Sequence, residues 1–287
     1  MDSYEEEEGY LKLLKNTLEE GNYKKTRNGM VYSTFGKMIK FNISNFFPLL
    51  TTKKVFFRGI VEELLWFISG STNSKVLENK NINIWKGNST REYLDSIGLN
   101  DYLEGELGPI YGHQWRNYNS QGIDQIKYIL KELSNDNNSR RALLSAWNPV
   151  QLKNMALPPC HIIYNFYKDS NGLSCLMYLR SSDLFLGLPF NIGSTALLTI
   201  IIAKVLNLKP FKICIIITDS HIYDEHVDNV NIQLNREIIE LPTLNINKEI
   251  NINCNIDEKI KWIEELKYED FELKNYMYHS SLKSIMK

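Results

Sequence analysis

Tyr10, Leu11, Leu14 and Leu18 recur at helical spacing, so residues 4–20 predict an amphipathic helix that Gly21 closes. Residues 31–41 then read as extended chain. Residues 59–69 predict a second helix with Ile60, Leu64, Leu65 and Phe67 toward a core. Residues 124–133 predict a third, followed by an Asn/Asp-rich loop at 135–138. Beyond residue 140 the pattern changes. Residues 142–147, 162–167, 174–179 and 211–218 are rich in β-branched or aromatic side chains and predict strands, with 168–172 as a turn. An apolar helix starting at Asn191 is inserted before the last strand. From Glu240 apolar and polar residues alternate, and a short helix follows around 260–266. Helices mixed with adjacent antiparallel strands predict an α+β fold in which one sheet carries the chemistry and helices cover it. No repeat and no Gly-, Pro- or Ser-rich linker divides the chain, so 1–287 reads as a single domain.

Composition narrows the function more than the fold. A chain of 287 residues buries most of its unfolded surface and needs no staples. With 33 basic and 34 acidic residues the net charge is −1, which argues against a nucleic-acid-coating protein and makes any anion site local. The four cysteines, Cys160, Cys175, Cys214 and Cys254, lie far apart without a CxxC pair. That spacing argues against a zinc knuckle or a disulfide framework and fits a reducing compartment, so no metal and a cytoplasmic location are expected. Residues 1–8 are acidic rather than basic and apolar, so no signal peptide is expected there. The apolar run 192–208 is broken by Ser194, Thr195 and Lys204 and falls short of the roughly 20 apolar residues of a membrane span. It predicts a buried core helix, and no membrane is expected.

Four features could carry chemistry. Cys160 stands behind Pro158 and Pro159 and is either a small buried hydrophobe or a nucleophile. In the segment Asp219-Ser220-His221-Ile222-Tyr223, His221 and Tyr223 are two apart on extended chain and can face one way, which suits binding a hydroxyl. A lone histidine there is otherwise structural or solvent-facing. Arg140 and Arg141, with Arg27 and Arg180, are exposed loop cations or, if they converge, a phosphate cradle. Glu62 and Glu63 lie in an apolar helix. They are a solvated pair, or one faces inward with its pKa raised toward acid/base work.

These pieces occur in an order that resembles the thymidylate synthase family over nearly the whole chain. The matching runs are Phe47-Pro48-Leu49-Leu50-Thr51-Thr52-Lys53, Glu63-Leu64-Leu65-Trp66-Phe67, Leu107-Gly108-Pro109-Ile110-Tyr111-Gly112, Ser139-Arg140-Arg141 and Ala146-Trp147-Asn148. They continue with Met155-Ala156-Leu157-Pro158-Pro159-Cys160-His161, Arg180-Ser181, Leu186-Gly187-Leu188-Pro189-Phe190-Asn191 and His221-Ile222-Tyr223. The resemblance implies a large mixed or antiparallel sheet covered by helices, with sheets packing across a homodimer interface. It also implies reductive methylation of dUMP to dTMP, with 5,10-methylenetetrahydrofolate giving both the carbon and the hydride.

By the same resemblance Cys160 matches the nucleophile, whose thiolate adds to C6 of uracil and makes C5 reactive. Arg180 lies close enough to favour that thiolate. Glu63 looks like the acid/base carboxylate, with Tyr111, His161 and Asp183 in the catalytic network. Asn191 matches the reader of N3 and O4: an amide donates to O4 and accepts from N3–H, the reverse of what cytosine presents. His221, Ile222 and Tyr223 match the ribose side. Arg27, Arg180, Ser181, Ser182 and Asp183 match the rest of the nucleotide site, with Arg140 and Arg141 reaching in from the other subunit. Lys53, Trp85, Asn88, Leu157, Asp183, Leu186, Gly187 and Phe190 fall where the family contacts folate.

The chain departs from the pattern at Leu179, where a Gln is usual, and at Thr218 in place of Gly. It also departs at Lys86 in place of Asp, at Glu225 in place of Asn and in a shorter turn after Arg27. Its tail ends in Met286-Lys287 where the family has an apolar residue, and a chain that starts at Met1 is expected to carry no reductase domain ahead of the synthase-like part. Two further readings share the same residues: a hydroxymethylase in which water replaces the hydride, and a dUMP-binding protein without turnover.

Overall fold

The computed structural model describes residues 3–135 and 139–284. In chain order the elements are α1 (Ser3–Glu20), β1 (Asn22–Thr26), β2 (Gly29–Asn42), α2 (Phe57–Ile68), α3 (Lys75–Glu78), α4 (Arg91–Ser96), α5 (Tyr111–Arg116), α6 (Gln125–Asn135) and β3 (Leu143–Ser145). They continue with β4 (His161–Asp169), β5 (Gly172–Asp183), α7 (Gly187–Val205), β6 (Pro210–Tyr223), α8 (Val227–Leu234), β7 (Thr243–Ile246), α9 (Ile256–Glu264) and β8 (Phe271–Lys274).

Six strands form one mixed sheet in the order β1-β2-β6-β5-β4-β3, and β7 pairs with β8 apart from it. Neighbours in the large sheet are antiparallel except β5 and β6, which run parallel. A parallel pair needs a crossover, and α7 supplies it. Leu173, Cys175, Met177 and Leu179 of β5 and Ile213, Ile215 and Ile217 of β6 alternate with more exposed residues, so one sheet face is the core. α7 is apolar nearly all round and most of its residues are buried. By length and composition it is long enough to cross a bilayer, but 78% of that window is buried within the chain.

Several boundaries differ from the sequence expectation, each for a local reason. β1 went unpredicted because Tyr23, Lys24 and Lys25 are all exposed and leave no alternation to read. β6 runs on through Tyr223, so His221 and Tyr223 lie within the strand rather than after it. α7 starts at Gly187, which places Asn191 inside the helix. Pro189 falls in the first turn, where its missing N–H costs no hydrogen bond. Leu65 is only half-buried, whereas Trp66 beside it is buried. α9 begins earlier than expected, at a reciprocal capping box between Asn255 and Glu258. Residues 136–138 of the expected loop, and Met286 and Lys287, lie outside the described residues.

Candidate active site

Cys160 occupies the last position before β4, and its carbonyl accepts from the Arg180 amide at 3.0 Å. The thiol therefore sits level with the C-terminal end of β5. Its amide donates to the Tyr111 hydroxyl at 2.7 Å. Tyr111 opens α5, and its ring stacks on His161 at 4.0 Å with 14° between the planes. His161 Nδ1 lies 2.9 Å from the Tyr164 hydroxyl. Burial lowers the His161 pKa to about 3, so this imidazole is neutral and works as a hydrogen-bonding group rather than a cation.

The Arg180 fork is aimed by main-chain carbonyls. Nε donates to Pro159 O at 2.7 Å and Nη2 to Pro158 O at 2.9 Å, which leaves Nη2 3.5 Å from the Cys160 sulfur. The two prolines thus present carbonyls that hold the guanidinium beside the thiol. Burial nevertheless pushes the Cys160 pKa up, and the Arg180 charge offsets only part of that rise. Desolvation outweighs a single partly exposed cation. Iodoacetamide alkylation of Cys160 in the unliganded protein should therefore have a midpoint above that of a free cysteine. Arg180→Gln should move it higher still; an unchanged midpoint would remove Arg180 from any role in thiolate formation.

Both helix carboxylates turned out to be buried, because α2 is enclosed on nearly every side. They are not equivalent. Glu62 pairs with Lys80 at 2.6 Å, whereas Glu63 accepts from Trp85 Nε1 at 2.8 Å. Burial raises the Glu63 pKa to about 7, with the indole N–H opposing the shift. Phe67, one turn further along α2, packs its ring against Tyr111, His161 and Trp85. Through that aromatic wall Glu63, Trp85, Tyr111, His161 and Cys160 form one contiguous group.

The opposite wall comes from β6 and the β1–β2 hairpin. Asp183 pairs in register with His221. His221 Nδ1 lies 3.0 Å from Asp219 Oδ1, and Asp219 also accepts from Lys24 (2.9 Å) and Ser33 (3.2 Å). His221 and Lys24 hold the Asp219 carboxyl well below the usual range. With Nδ1 engaged, Nε2 is the atom left to meet a ligand. Burial raises the Tyr223 pKa, with Asn28 and Arg27 opposing the shift and Asp183 and Cys160 adding to it. Sequence alone assigns Asp219 no role; the Asp-x-His alternation on extended chain is the signal that points to it.

Asn191 is half-buried on α7, and its side-chain amide makes no hydrogen bond to another described residue. Ser181 is half-buried beside Arg180, while Ser182 is buried with its hydroxyl toward Asp183 O at 3.5 Å. The Ile222 side chain is fully buried, so only its backbone is available to a ligand. Asp183 Oδ1 accepts from the amides of Phe185 (2.9 Å) and Leu186 (3.3 Å), fixing the turn that leads to Leu186, Gly187 and Phe190. Leu157, Leu186, Phe190 and Asn88 are half-buried and Trp85 is buried. Lys53 is folded inward: its ammonium donates to Phe185 O and lies 3.5 Å from the Phe185 ring centroid. Burial lowers its pKa to about 7, against the pull of Asp183.

Arg140 and Arg141 are not brought to this group within one chain. They are exposed, and Arg141 pairs with Glu132 at 3.4 Å. The Phe166 amide donates to Ala142 O, so the arginines lie beside the far end of β4, roughly 20 Å from Cys160 at the usual strand rise. Among the departures, Leu179 is fully buried on the core face and fills its site by packing. The Thr218 hydroxyl lies 2.6 Å from that of Tyr178. Among the described residues no group of three or more His, Cys, Asp or Glu could hold a metal.

A thiol, a cation and a desolvated carboxylate converging at the end of a mixed, helix-covered sheet define an α+β enzyme scaffold built for nucleophilic addition. A sequence model of the thymidylate synthase family matches residues 8–287, and the chain belongs to that family. It is 45% identical to the bifunctional dihydrofolate reductase-thymidylate synthase of Paramecium tetraurelia, over all of this chain and 62% of that protein. It is 48% identical to the protein of the same description from Glycine max, over 96% of this chain and 53% of that one. For bifunctional dihydrofolate reductase-thymidylate synthase 2 of Arabidopsis thaliana the values are 47%, 96% and 49%. The chain thus spans about half to three-fifths of the length of these relatives.

Proposed function

We propose that this chain catalyses the reductive methylation of dUMP to dTMP, with 5,10-methylenetetrahydrofolate as co-substrate and dihydrofolate as the second product. The observation that carries the reading is Cys160 Sγ at 3.5 Å from an Arg180 fork aimed by Pro158 O and Pro159 O, on the same aromatic wall as the desolvated Glu63. In this reading the Cys160 sulfur adds to C6 of uracil and C5 gains the carbanion character it needs. Elimination of the sulfur later restores the ring. Asn191, with its amide uncommitted, reads N3–H and O4 together. Glu63, protonated about half the time near neutrality, exchanges a proton with the O4 side of the ring. His221 Nε2 and the Tyr223 hydroxyl receive the ribose hydroxyl, and Arg27 and Arg180 the phosphate.

The folate fits the half-buried surfaces of Leu157, Leu186 and Phe190 beside Trp85, a set of flat and apolar walls with Asn88 and Asp183 as polar points. When bound it supplies the one-carbon unit and the hydride. The test is purified protein with dUMP and methylenetetrahydrofolate. Dihydrofolate absorbance should rise together with a product whose mass has gained a methyl group, and the absence of both at every folate concentration would refute the reading.

We also place a second copy of the chain on the open sheet face. Met38, Ile216, Leu176, Tyr178 and Tyr167 lie there on β2, β6, β5 and β4, alternating with the core residues and, among the described residues, covered by no helix. The partner would bring Arg140 and Arg141 to the phosphate. A Cys160→Ala variant and an Arg140→Ala/Arg141→Ala variant, each inactive alone, should then regain activity when refolded together. The mixed dimer holds one site with an intact thiol and intact arginines. A mixture no more active than its components would place the arginines elsewhere.

A further inference from the structure

Glu7, on α1, is fully buried, and among the described residues no cation contacts it. It lies just before the first residue matched by the family model. Its two oxygens are taken up by one pair of residues. Oε2 accepts from Thr51 N (2.8 Å) and Thr51 Oγ1 (2.7 Å); Oε1 accepts from Thr52 N (2.9 Å) and Thr52 Oγ1 (2.6 Å). All four bonds run from donors to the carboxylate oxygens, so both hydroxyl protons point at Glu7. The hydroxyl lone pairs are thereby turned the other way, and they receive Ile239 N at 3.0 Å and Gln233 Nε2 at 2.8 Å.

The same two threonines hold the segment that follows β8. Thr51 O accepts from His279 N at 2.8 Å. Thr52 O accepts from Arg236 Nη1 at 2.7 Å, and Arg236 also holds Ser280 O at 2.8 Å. Just upstream, the Tyr276 hydroxyl donates to Leu50 O and receives Val55 N, both at 2.9 Å. The residue that follows Thr52 is Lys53, set against Phe185. Tyr10, one turn beyond Glu7 on the same face of α1, donates to Leu184 O at 2.9 Å. One helix face therefore fixes both the loop that carries Lys53 and the loop that carries Leu186. An apolar residue at position 7 would fill the space but leave four donors unpaired, which is far costlier than a lost contact.

We infer that Glu7 is a positioning residue for the folate side of the site: it sets the Thr51–Thr52 turn and, through that turn, the placement of Lys53 and of residues 276–280. This rests on the activity proposed above. Glu7, Thr51 and Thr52 make no hydrogen bond to Cys160, Arg180 or His221; the one link to the nucleotide side runs from Tyr10 through Leu184, whose amide donates to His221 O at 2.9 Å, and it does not pass through Glu7.

The full chain should be compared with Glu7→Gln, which keeps the volume but puts an amide N–H against threonine donors. The apparent KM for methylenetetrahydrofolate should rise about tenfold, the size expected when a hydrogen bond to a charged group is lost. The Kd for dUMP, measured by calorimetry, should stay within about twofold by the same reasoning. Hydrogen exchange at the His279 amide should quicken while the Phe166 amide in the sheet does not change. If Glu7→Gln fails to fold, Thr52→Val, which removes one hydroxyl donor, should reproduce the KM and exchange effects. Thr52→Ser, which keeps the hydroxyl, should leave both at wild-type values. An unchanged folate KM in the folded variant, or equal losses on the dUMP and folate sides, would overturn the inference. So would exchange that quickens equally at both amides. If the wild-type protein forms no dihydrofolate, the proposed activity fails, and the exchange comparison still decides whether Glu7 positions residues 276–280.

Discussion

Replacing Cys160 by alanine should lower dTMP formation by at least about four orders of magnitude, the loss expected when a covalent nucleophile is removed. Without sulfur addition at C6 the uracil ring has no route to a reactive C5, and no other thiol is placed to substitute. Cys175 is buried in the core, with its pKa raised by burial beyond the range of physiological ionisation. Cys214 lies on the open sheet face, and Cys254 lies in the segment between β7 and α9, so neither is held beside the Arg180 fork. Binding of dUMP should survive, because Pro158 O and Pro159 O, not the thiol, hold the Arg180 fork. Folding stability should change by less than about 1 kcal/mol, since Cys160 is half-buried and its sulfur makes no strong hydrogen bond. Dihydrofolate absorbance, product mass and dUMP calorimetry on the variant read all three. Turnover within about a hundredfold of wild type would assign the nucleophile to another residue.

Glu63→Gln should lower turnover by about two to three orders of magnitude, the usual worth of a positioned general acid/base. It should also remove whatever limb of the pH–rate profile lies near pH 7. Its effect on stability has the opposite sign at high pH. The folded-state pKa, about 7, lies above the ordinary glutamate value of 4.5, so between these values the folded protein binds more protons than the unfolded chain. Stability from this group is therefore fully present below about pH 4.5 and is lost as pH rises through 7. The full loss is on the order of 3 kcal/mol from the shift alone. Glutamine carries no charge to desolvate and still accepts from the Trp85 indole, so the variant should be more stable than wild type at pH 8. Denaturant midpoints at pH 5 and pH 8 for both proteins test this. A variant less stable than wild type at pH 8 would mean that Glu63 is ionised at little cost in the fold.

Much of the fold was legible because its hydrophobic periods are clean. Residues 4–20 and 124–133 predicted α1 and α6 to within two residues, and the four strand runs all lie in or across β3 to β6. What escaped was structure made by pairing rather than pattern. β1 is a strand because β2 offers it partners, and its exposed Tyr23-Lys24-Lys25 shows no alternation. The parallel pairing of β5 with β6 follows from how α7 packs across the sheet, which no local window contains.

The candidate site divides in the same way. The residue types and their order, Cys160 behind two prolines, Arg180 one hairpin later, Asn191 and then His221-x-Tyr223, stand in the sequence itself. So does the family resemblance built on them. Sequence by itself thus determined which atoms are available for the chemistry and which elements carry them. The apolar helix alone left open which of Glu62 and Glu63 faces inward, and the family resemblance singled out Glu63. Tertiary structure separated the environments of the two by giving Glu62 a lysine and Glu63 only an indole N–H. It also decided that burial outweighs Arg180 at the thiol, that Lys53 turns inward, and that Glu7, more than forty residues from the turn it holds, fixes Thr51 and Thr52. The reason is common to all of these. Desolvation and hydrogen-bond saturation depend on everything within a few ångströms, and those neighbours come from distant parts of the chain.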